Sequence, residues 1–193
     1  MAQTKALNSS ETPVRNRVAQ RIDRPAHTPD FGVRGTQIWC DDFSTPSNWV
    51  ESVWPGAPDL HWQIGTGLSS QGGAPIATIL STTAENGFAL LDSDAFANEV
   101  DMEKSMLTTA NSIDLSSYPN VVLEFESQYR KWTEEECFVV ISTNNTDWPN
   151  LDAATDISAL PNVYYVWPGM DTQDPVDNPT LVRINISNSA GNQ

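Results

Sequence analysis

The 193-residue chain has a mass of 21.2 kDa, which is the size of one domain, or of one domain with a tail. Hydrophobic residues make up 39% and charged residues 18% of the sequence, which excludes a coiled coil and a charged disordered chain. No apolar run reaches the roughly 18 residues that a membrane-spanning helix needs, and the net charge of -15 predicts repulsion from phosphate backbones and anionic lipids. We therefore expect neither nucleic-acid binding nor membrane insertion.

The sequence predicts a flexible basic arm over residues 1–35 and a folded domain over residues 36–193. Six of the 10 basic residues lie before Gly35, whereas nearly all of the acidic residues follow it. The arm also contains Pro13, Pro25 and Pro29 and shows little apolar periodicity. In the alternative interpretation, the arm is a strap that docks on the domain through apolar side chains at helical spacing: Val14, Val18, Ile22 and Phe31.

The first residues favour an exported protein. Met1, Ala2 and Gln3 begin a polar stretch that has neither the charged nor the apolar region of a signal peptide. An Ala-Gln junction of this kind is typical of the mature end left by signal cleavage, with Met1 added for expression. We therefore expect a secreted or cell-surface protein whose signal peptide has been removed. The alternative is a cytosolic protein that starts naturally at Met1.

After the arm, the pattern is typical of short strands separated by turns rich in Pro, Gly, Asn and Ser. Alternation is clearest where Leu123 and Phe125 share one face and the intervening glutamates the other. A short helical turn is predicted over Asp152–Leu160. Many short strands indicate an all-β fold, an antiparallel β-sandwich of the jelly-roll type. The predicted strands are Gln37–Phe43, His61–Ile64, Gly87–Asp92, Val121–Tyr129, Cys137–Ser142, Val163–Trp167 and Thr180–Ile186.

Cysteine and tryptophan usage leaves two questions open. Cys40 and Cys137 can form one disulfide or stay free, and neither neighbours a histidine as a zinc site would require. The chain has 7 Trp, which can plug a core or stack on sugar rings. Core packing is the interpretation we favour for each of the candidates Trp39, Trp49, Trp62 and Trp132.

Two acidic turns suggest a calcium site. Asp41 and Asp42 lie near the end of the first predicted strand, and Asp92 and Asp94, with one small residue between them, lie where the apolar part of the third ends. Carboxylates spaced by two can point toward one cation, and calcium accepts six to eight oxygen ligands in loose geometry. The alternative is that these residues are ordinary turn residues facing solvent.

A third acidic segment runs from Glu99 to Glu103, with Asp101 between them. In an extended strand all three carboxylates share one face, and the pattern resembles the catalytic strand of family-sixteen glycoside hydrolases. The resemblance implies Glu99 and Glu103 as the catalytic pair of a retaining hydrolase. The flanking residues lack the aromatic side chains that line a sugar cleft in those enzymes, so we favour an acidic surface loop.

A longer resemblance covers residues 36–190. It consists of strand patterns and not of catalytic signatures, and it is carried by Trp39–Phe43, Trp49, His61–Ile64, Gly87–Asp94, Met106–Thr109, Ile113–Phe125, Tyr129–Trp132 and Cys137–Asn144. With these segments the chain resembles the cleaved-adhesin or choice-of-anchor J domains, which are similar to the MAM group of concanavalin-like jelly rolls.

This resemblance implies a non-catalytic module for adhesion or ligand binding, with glycans as one class of ligand, in a larger secreted protein of a Bacteroidetes-type bacterium with type nine export. Its partners would be a glycan or a host or cell-surface protein, and further domains would belong to the same polypeptide. It also implies structural calcium at Asp42, Asp92 and Asp94. The family usually ends in an aromatic strand and a paired-Asp segment. This chain ends at Gln193 without them, so we expect the domain to lack its final strand or strands. A purely structural spacer is the third reading of the function.

Overall fold

The computed structural model describes residues 35–96, 102–149 and 160–191. This part of the chain is rich in short strands, with a single 3-10 turn at Pro46–Asn48 and two four-residue helices. The prediction of a β-rich fold is therefore confirmed. The elements in chain order are β1 (Trp49–Val53), β2 (Gln63–Gly65), β3 (Phe88–Leu90), α1 (Ser93–Phe96), β4 (Ser105–Thr109), β5 (Val122–Ser127), β6 (Phe138–Val140), β7 (Val163–Tyr165), β8 (Thr180–Asn185) and α2 (Ser187–Ala190).

All strand pairing in the described residues is antiparallel and forms two-stranded sheets. β2 pairs with β3, and β6 pairs with β7, so each of these sheets joins strands that are consecutive in the chain. β1 pairs with β4, and β5 pairs with β8, so these two ladders join segments that are far apart in the sequence. The two non-consecutive ladders are the longest, and they decide how the chain is folded back on itself.

The pairing of β5 with β8 follows from the alternation in their sequences. Phe125 lies opposite Val182, and Leu123 lies opposite Ile184, so apolar side chains share one face. On the other face, the carboxylate Oε2 of Glu124 accepts a hydrogen bond from Nε of Arg183 at 2.7 Å. Both charged side chains are partly exposed, so this pair contributes well under about 1 kcal/mol. Burial of the apolar face, where Val182 is only 3% exposed, fixes the register.

The core lies mainly along β7, β8 and α2. Among the described residues, seven apolar side chains are buried, and no large side chain is completely enclosed. A core of this size depends on hydrogen-bonded loops as well as on apolar burial. The buried apolar residues are Leu60, Phe88, Val163, Val166, Val182, Ile186 and Ala190.

The predicted strand over Gln37–Phe43 is wrong. Residues 36–40 are exposed without strand pairing, and the chain then turns at Asp41 and Asp42. Each of these two carboxylates accepts a hydrogen bond from the backbone N–H two residues later. Such bonds bend the backbone and compete with a strand, and Phe43 takes a left-handed conformation with φ of 61°.

Two strands are absent from the sequence prediction, namely β1 and β4. In β1, both Val50 and Glu51 are exposed, and in β4 every residue is half-buried. Neither strand therefore alternates between buried and exposed side chains. The other six strands overlap their predicted segments and are mostly shorter at one or both ends. The predicted arm and the predicted helical turn lie outside the described residues, except for Gly35 and Leu160.

The cysteines are both free thiols in the structure, which answers the question of a bridge between them. Cys40 is exposed, whereas Cys137 is half-buried at the start of β6. Burial raises the pKa of the Cys137 thiol to about 11, although a hydrogen bond with Tyr129 acts in the opposite direction. Because the thiolate is the reactive form, Cys137 is the less nucleophilic of the two positions.

We expect iodoacetamide at pH 8 to label Cys40 quickly and Cys137 slowly, since little of the Cys137 thiol is ionised at that pH. Intact-mass spectrometry should show one rapid addition, and peptide mapping should place it on Cys40. Guanidinium chloride should make both sites react. Equal labelling rates in the folded protein would contradict the burial of Cys137.

The turn before β1 is fastened by the carboxylate of Asp41. It accepts hydrogen bonds from Nδ2 of Asn48 at 2.6 Å, from the indole Nε1 of Trp49 at 2.9 Å and from the backbone N–H of Phe43 at 2.8 Å. The ring of Trp49 stacks on Phe43 with 4.9 Å between centroids. One carboxylate thus positions both the turn and the start of β1.

We expect Asp41→Ala to lower the free energy of unfolding by about 2 kcal/mol, because it leaves three donors without their charged acceptor. Urea unfolding followed by circular dichroism measures the change. Asp59→Ala is the matched control, since the Asp59 side chain is 90% exposed and, among the described residues, forms a hydrogen bond only with His61. Equal stability of the two variants would show that the turn does not depend on Asp41.

Candidate functional site

Asp92 and Asp94 fasten a neighbouring loop. Asp92 follows β3 and accepts hydrogen bonds from the backbone N–H groups of Gln71 at 2.6 Å and Ala95 at 3.2 Å. Asp94 lies in α1 and accepts one from the backbone N–H of Ala74 at 2.5 Å. Gly72 lies so close to the carboxylate of Asp94 that a β-carbon at this position would overlap it. The two carboxylates hold the segment 71–74 against the end of β3.

Asp42 lies at the opposite end of β3. Its carboxylate accepts hydrogen bonds from the Ser44 backbone N–H at 3.1 Å and from Nδ2 of Asn86 at 2.7 Å. Hydrogen bonds from Ser44 and then Asn86 lower its pKa below the ordinary value of 3.8. Asn86 precedes β3 whereas Asp92 follows it, so an extended segment separates Asp42 from the other pair.

The predicted calcium ligands are therefore not brought together as one group of three. Within the described residues, no cluster of three or more His, Cys, Asp or Glu side chains is placed to hold a metal ion. Asp92 and Asp94 remain neighbours, and the backbone carbonyls of the loop that they hold are oxygen donors of the kind calcium accepts. Calcium binding stays a prediction, and it can be tested by substitution at Asp92 or Asp94.

Glu103 lies just before β4 and is half-buried. Burial, and secondly the negative charge of Glu135, raise the pKa of its carboxyl group. Its predicted catalytic partner Glu99 lies outside the described residues, as does Asp101. The distance between the two glutamates, on which the hydrolase interpretation depends, is therefore not given by the structure, and that interpretation stays a prediction.

The tryptophans divide between the interior and the surface. Trp49 packs edge-on against Trp39 and face-on against Phe43, and Trp62 is half-buried with its indole N–H enclosed and without an acceptor among the described residues. Trp39 is 39% exposed and Trp132 is 45% exposed. The core interpretation therefore suits Trp49 and Trp62, whereas Trp39 and Trp132 offer aromatic surface to solvent.

A cavity of about 300 Å³, lined by polar and apolar surface in nearly equal parts, opens at one end of the β6–β7 hairpin. The residues after β6, from Ile141 to Asn144 and Asp147, form one wall. Pro161 and Asn162, which lead into β7, form the second wall, and Asn188 and Ser189 of α2 form the third. Binding residues are often found on loops held by a rigid scaffold, and this cavity has that arrangement.

The first wall is a turn that Asn144 holds in shape. Its side-chain oxygen accepts hydrogen bonds from the backbone N–H groups of Thr146 at 3.0 Å and Asp147 at 2.9 Å. Its Nδ2 donates to Oδ2 of Asp147 at 2.5 Å, and Asn145 adopts a left-handed φ of 58°. Asparagine tolerates that conformation better than most residues. The wall is therefore preorganised before any ligand arrives.

The other two walls are tied to the strands. The backbone carbonyl of Asn162 accepts a hydrogen bond from the N–H of Ile141 at 3.0 Å, and its side-chain Nδ2 donates to the carbonyl of Ile141 at 2.7 Å. Ser189 Oγ and Tyr164 Oη share a 2.5 Å hydrogen bond that joins α2 to β7. The cavity is thus a continuation of the β6–β7 ladder, closed on one side by α2.

The sequence does not reveal this site. The cluster of Asn and Thr at residues 143–147 is an ordinary turn signal, and nothing in the sequence indicates that residues 161–162 and 188–189 face it. A turn with two consecutive asparagines and an aspartate was the only available hint, because each wall comes from a different part of the chain.

Comparison of the chain with protein-family models, curated proteins and solved structures gave no match. In the described part of the chain, no helix combines the length and the apolar character needed to cross a membrane.

We expect calcium to stabilise the folded chain through Asp92 and Asp94, since a cation relieves the repulsion between neighbouring carboxylates and binds only the folded state. Calcium at ten times its Kd should raise Tm by about 3–5 °C over the chelated protein. Scanning calorimetry with chelator and with millimolar calcium measures the difference, and Asp94→Ala should abolish it.

Asp171→Ala is the control for that experiment, because Asp171 is exposed and far along the chain from both acidic turns. It should keep the full calcium response. An unchanged wild-type melting curve in chelator and in calcium would show that the acidic turns serve the backbone alone.

Proposed function

We propose that this chain is a non-catalytic extracellular module that binds a ligand, with a glycan as the favoured class, within a larger secreted protein of the cleaved-adhesin type. We also propose that its strand pairs belong to a jelly-roll sandwich. The observation that carries the functional proposal is the cavity at the end of the β6–β7 hairpin. Its walls are preorganised, and they contribute amide, hydroxyl and carboxylate groups.

The composition of the cavity favours binding over hydrolysis. Asp147 is the single carboxylate among the described residues that line it. Hydrolysis of a glycosidic bond by either common mechanism uses two carboxyl groups placed across the scissile bond. Among the described residues of its lining there is no second carboxylate, and the other polar groups there are amides and hydroxyls that recognise a ligand without attacking it.

The charge of the chain supports a neutral or basic ligand. A net charge of -15 repels anionic surfaces and raises the local concentration of neutral and cationic partners relative to anionic ones. Exposed aromatic side chains such as Trp132 add stacking surface of the kind that sugar rings use. Secretion and attachment to further domains are part of the same proposal and rest on the resemblance in sequence.

We expect the full chain to bind members of a printed glycan array and to release no reducing sugar from laminarin or lichenan. Array fluorescence measures binding, and a reducing-sugar assay on the same preparation measures turnover. Cell-surface proteins printed beside the glycans separate glycan binding from protein adhesion. Turnover that disappears in Glu103→Gln would overturn the proposal in favour of a hydrolase, and the absence of binding to every glycan and protein would favour a structural spacer.

A further inference from the structure

We infer that the cavity formed by residues 141–147, 161–162 and 188–189 binds one ring of a neutral sugar, held by Asp147, Asn162 and Asn188. This inference rests on the proposed function and names its site and ligand class. It is carried by three features of the cavity, namely polar atoms that the fold leaves without partners, an apolar wall, and a size that suits a single ring.

The polar atoms available to a ligand are specific. Two polar atoms of the cavity already take part in hydrogen bonds within the protein. Oδ2 of Asp147 accepts one from Nδ2 of Asn144, and Nδ2 of Asn162 donates one to the backbone carbonyl of Ile141. Within the described residues, Oδ1 of Asp147 and Oδ1 of Asn162 have no donor, and the Asn188 side chain makes no hydrogen bond. The cavity therefore presents two fixed acceptors and one amide that both donates and accepts. Neighbouring hydroxyl groups on a sugar ring both donate and accept, so they match this set.

The apolar wall gives the ligand a face to pack on. Ile141 and Pro161 line the cavity beside the polar atoms. A pyranose ring has C–H groups on its faces and hydroxyl groups around its edge, so it can place a face on Ile141 and Pro161 and an edge on the acceptors. A phosphate or a simple carboxylate has no apolar face to use there.

The volume of the cavity and the negative charge around it narrow the class of ligand further. The volume of about 300 Å³ is at the lower end of the range for ligand cavities, roughly 300–1,000 Å³, so it suits one ring and not an extended chain. Asp147 in the wall and the acidic chain around it disfavour sialylated or sulfated sugars. The remaining ligands are neutral terminal residues of a glycan.

The test measures binding of four immobilised neutral sugars, namely mannose, galactose, fucose and N-acetylglucosamine, with sialyllactose as the anionic comparison. We expect at least one neutral sugar to bind and sialyllactose not to bind. Asp147→Asn and Asn188→Ala should each weaken binding between about tenfold and a hundredfold, since the first replaces a charged acceptor facing the ligand by an amide donor and the second removes the side-chain amide. Both side chains are exposed at the rim, so neither substitution is expected to disturb the fold.

Matched controls are Asp171→Asn and Asn111→Ala, which make the same chemical changes at exposed positions outside the cavity. They should bind as the wild type does. Sugar binding that survives both cavity substitutions would overturn the assignment of the site and leave the proposed function standing. Binding to printed cell-surface proteins without any sugar binding would overturn the ligand class alone, and the absence of all binding would overturn the proposed function with it.

Discussion

The antiparallel pairing of β5 with β8 is the constraint on which the rest of the described structure depends. It closes a loop of more than fifty residues, and the entropic cost of closing a loop rises only slowly with the length of the loop. The apolar face of the ladder, with Val182 against Phe125, offsets that cost through burial. The β6–β7 hairpin lies within the closed loop, so the ladder restricts where the hairpin can go.

The same ladder places the third wall of the cavity. β8 leads into α2, where Ile186 and Ala190 are buried, so the short helix is fixed by packing and not by its own length. Ser187 Oγ contacts the backbone of Val121 at the start of β5, and Ser189 Oγ bonds to Tyr164 of β7. These contacts join both ladders at one point. The cavity is where the ends of the two ladders meet.

The apolar core is small, and hydrogen bonds made by acidic and amide side chains stabilise the loops around it. Asp41, Asp92, Asp94 and Glu126 each accept hydrogen bonds from loop backbone, so part of the negative charge is used to hold turns. Asp42 shows the consequence for pH. Its pKa is lowered in the folded state, so its contribution is present above the unfolded value of 3.8 and is lost as the pH falls through the folded value. The acidic residues therefore hold turns in place, and their negative charge also disfavours anionic partners.

Local sequence patterns are sufficient to predict the β-rich character of this protein and the approximate positions of six of its eight described strands. Alternation of apolar and polar residues and the placement of turn residues are local, so they can be read without knowing the partner of a strand. In β5, Leu123 and Phe125 were correctly predicted to share a face.

The turn at Asp41 and Asp42, the pairing of β1 with β4 and the cavity all depend on contacts between distant parts of the chain. Asp41 forms a turn because Asn48 and Trp49 reach its carboxylate, and β1 is a strand because β4 satisfies its backbone. The cavity needs three segments that are separated by tens of residues, whereas the acidic residues chosen from the sequence lie at opposite ends of β3. Spacing along a chain fixes which face a side chain occupies, but convergence of distant side chains depends on strand pairing, which is set by burial and backbone hydrogen bonding across the whole domain.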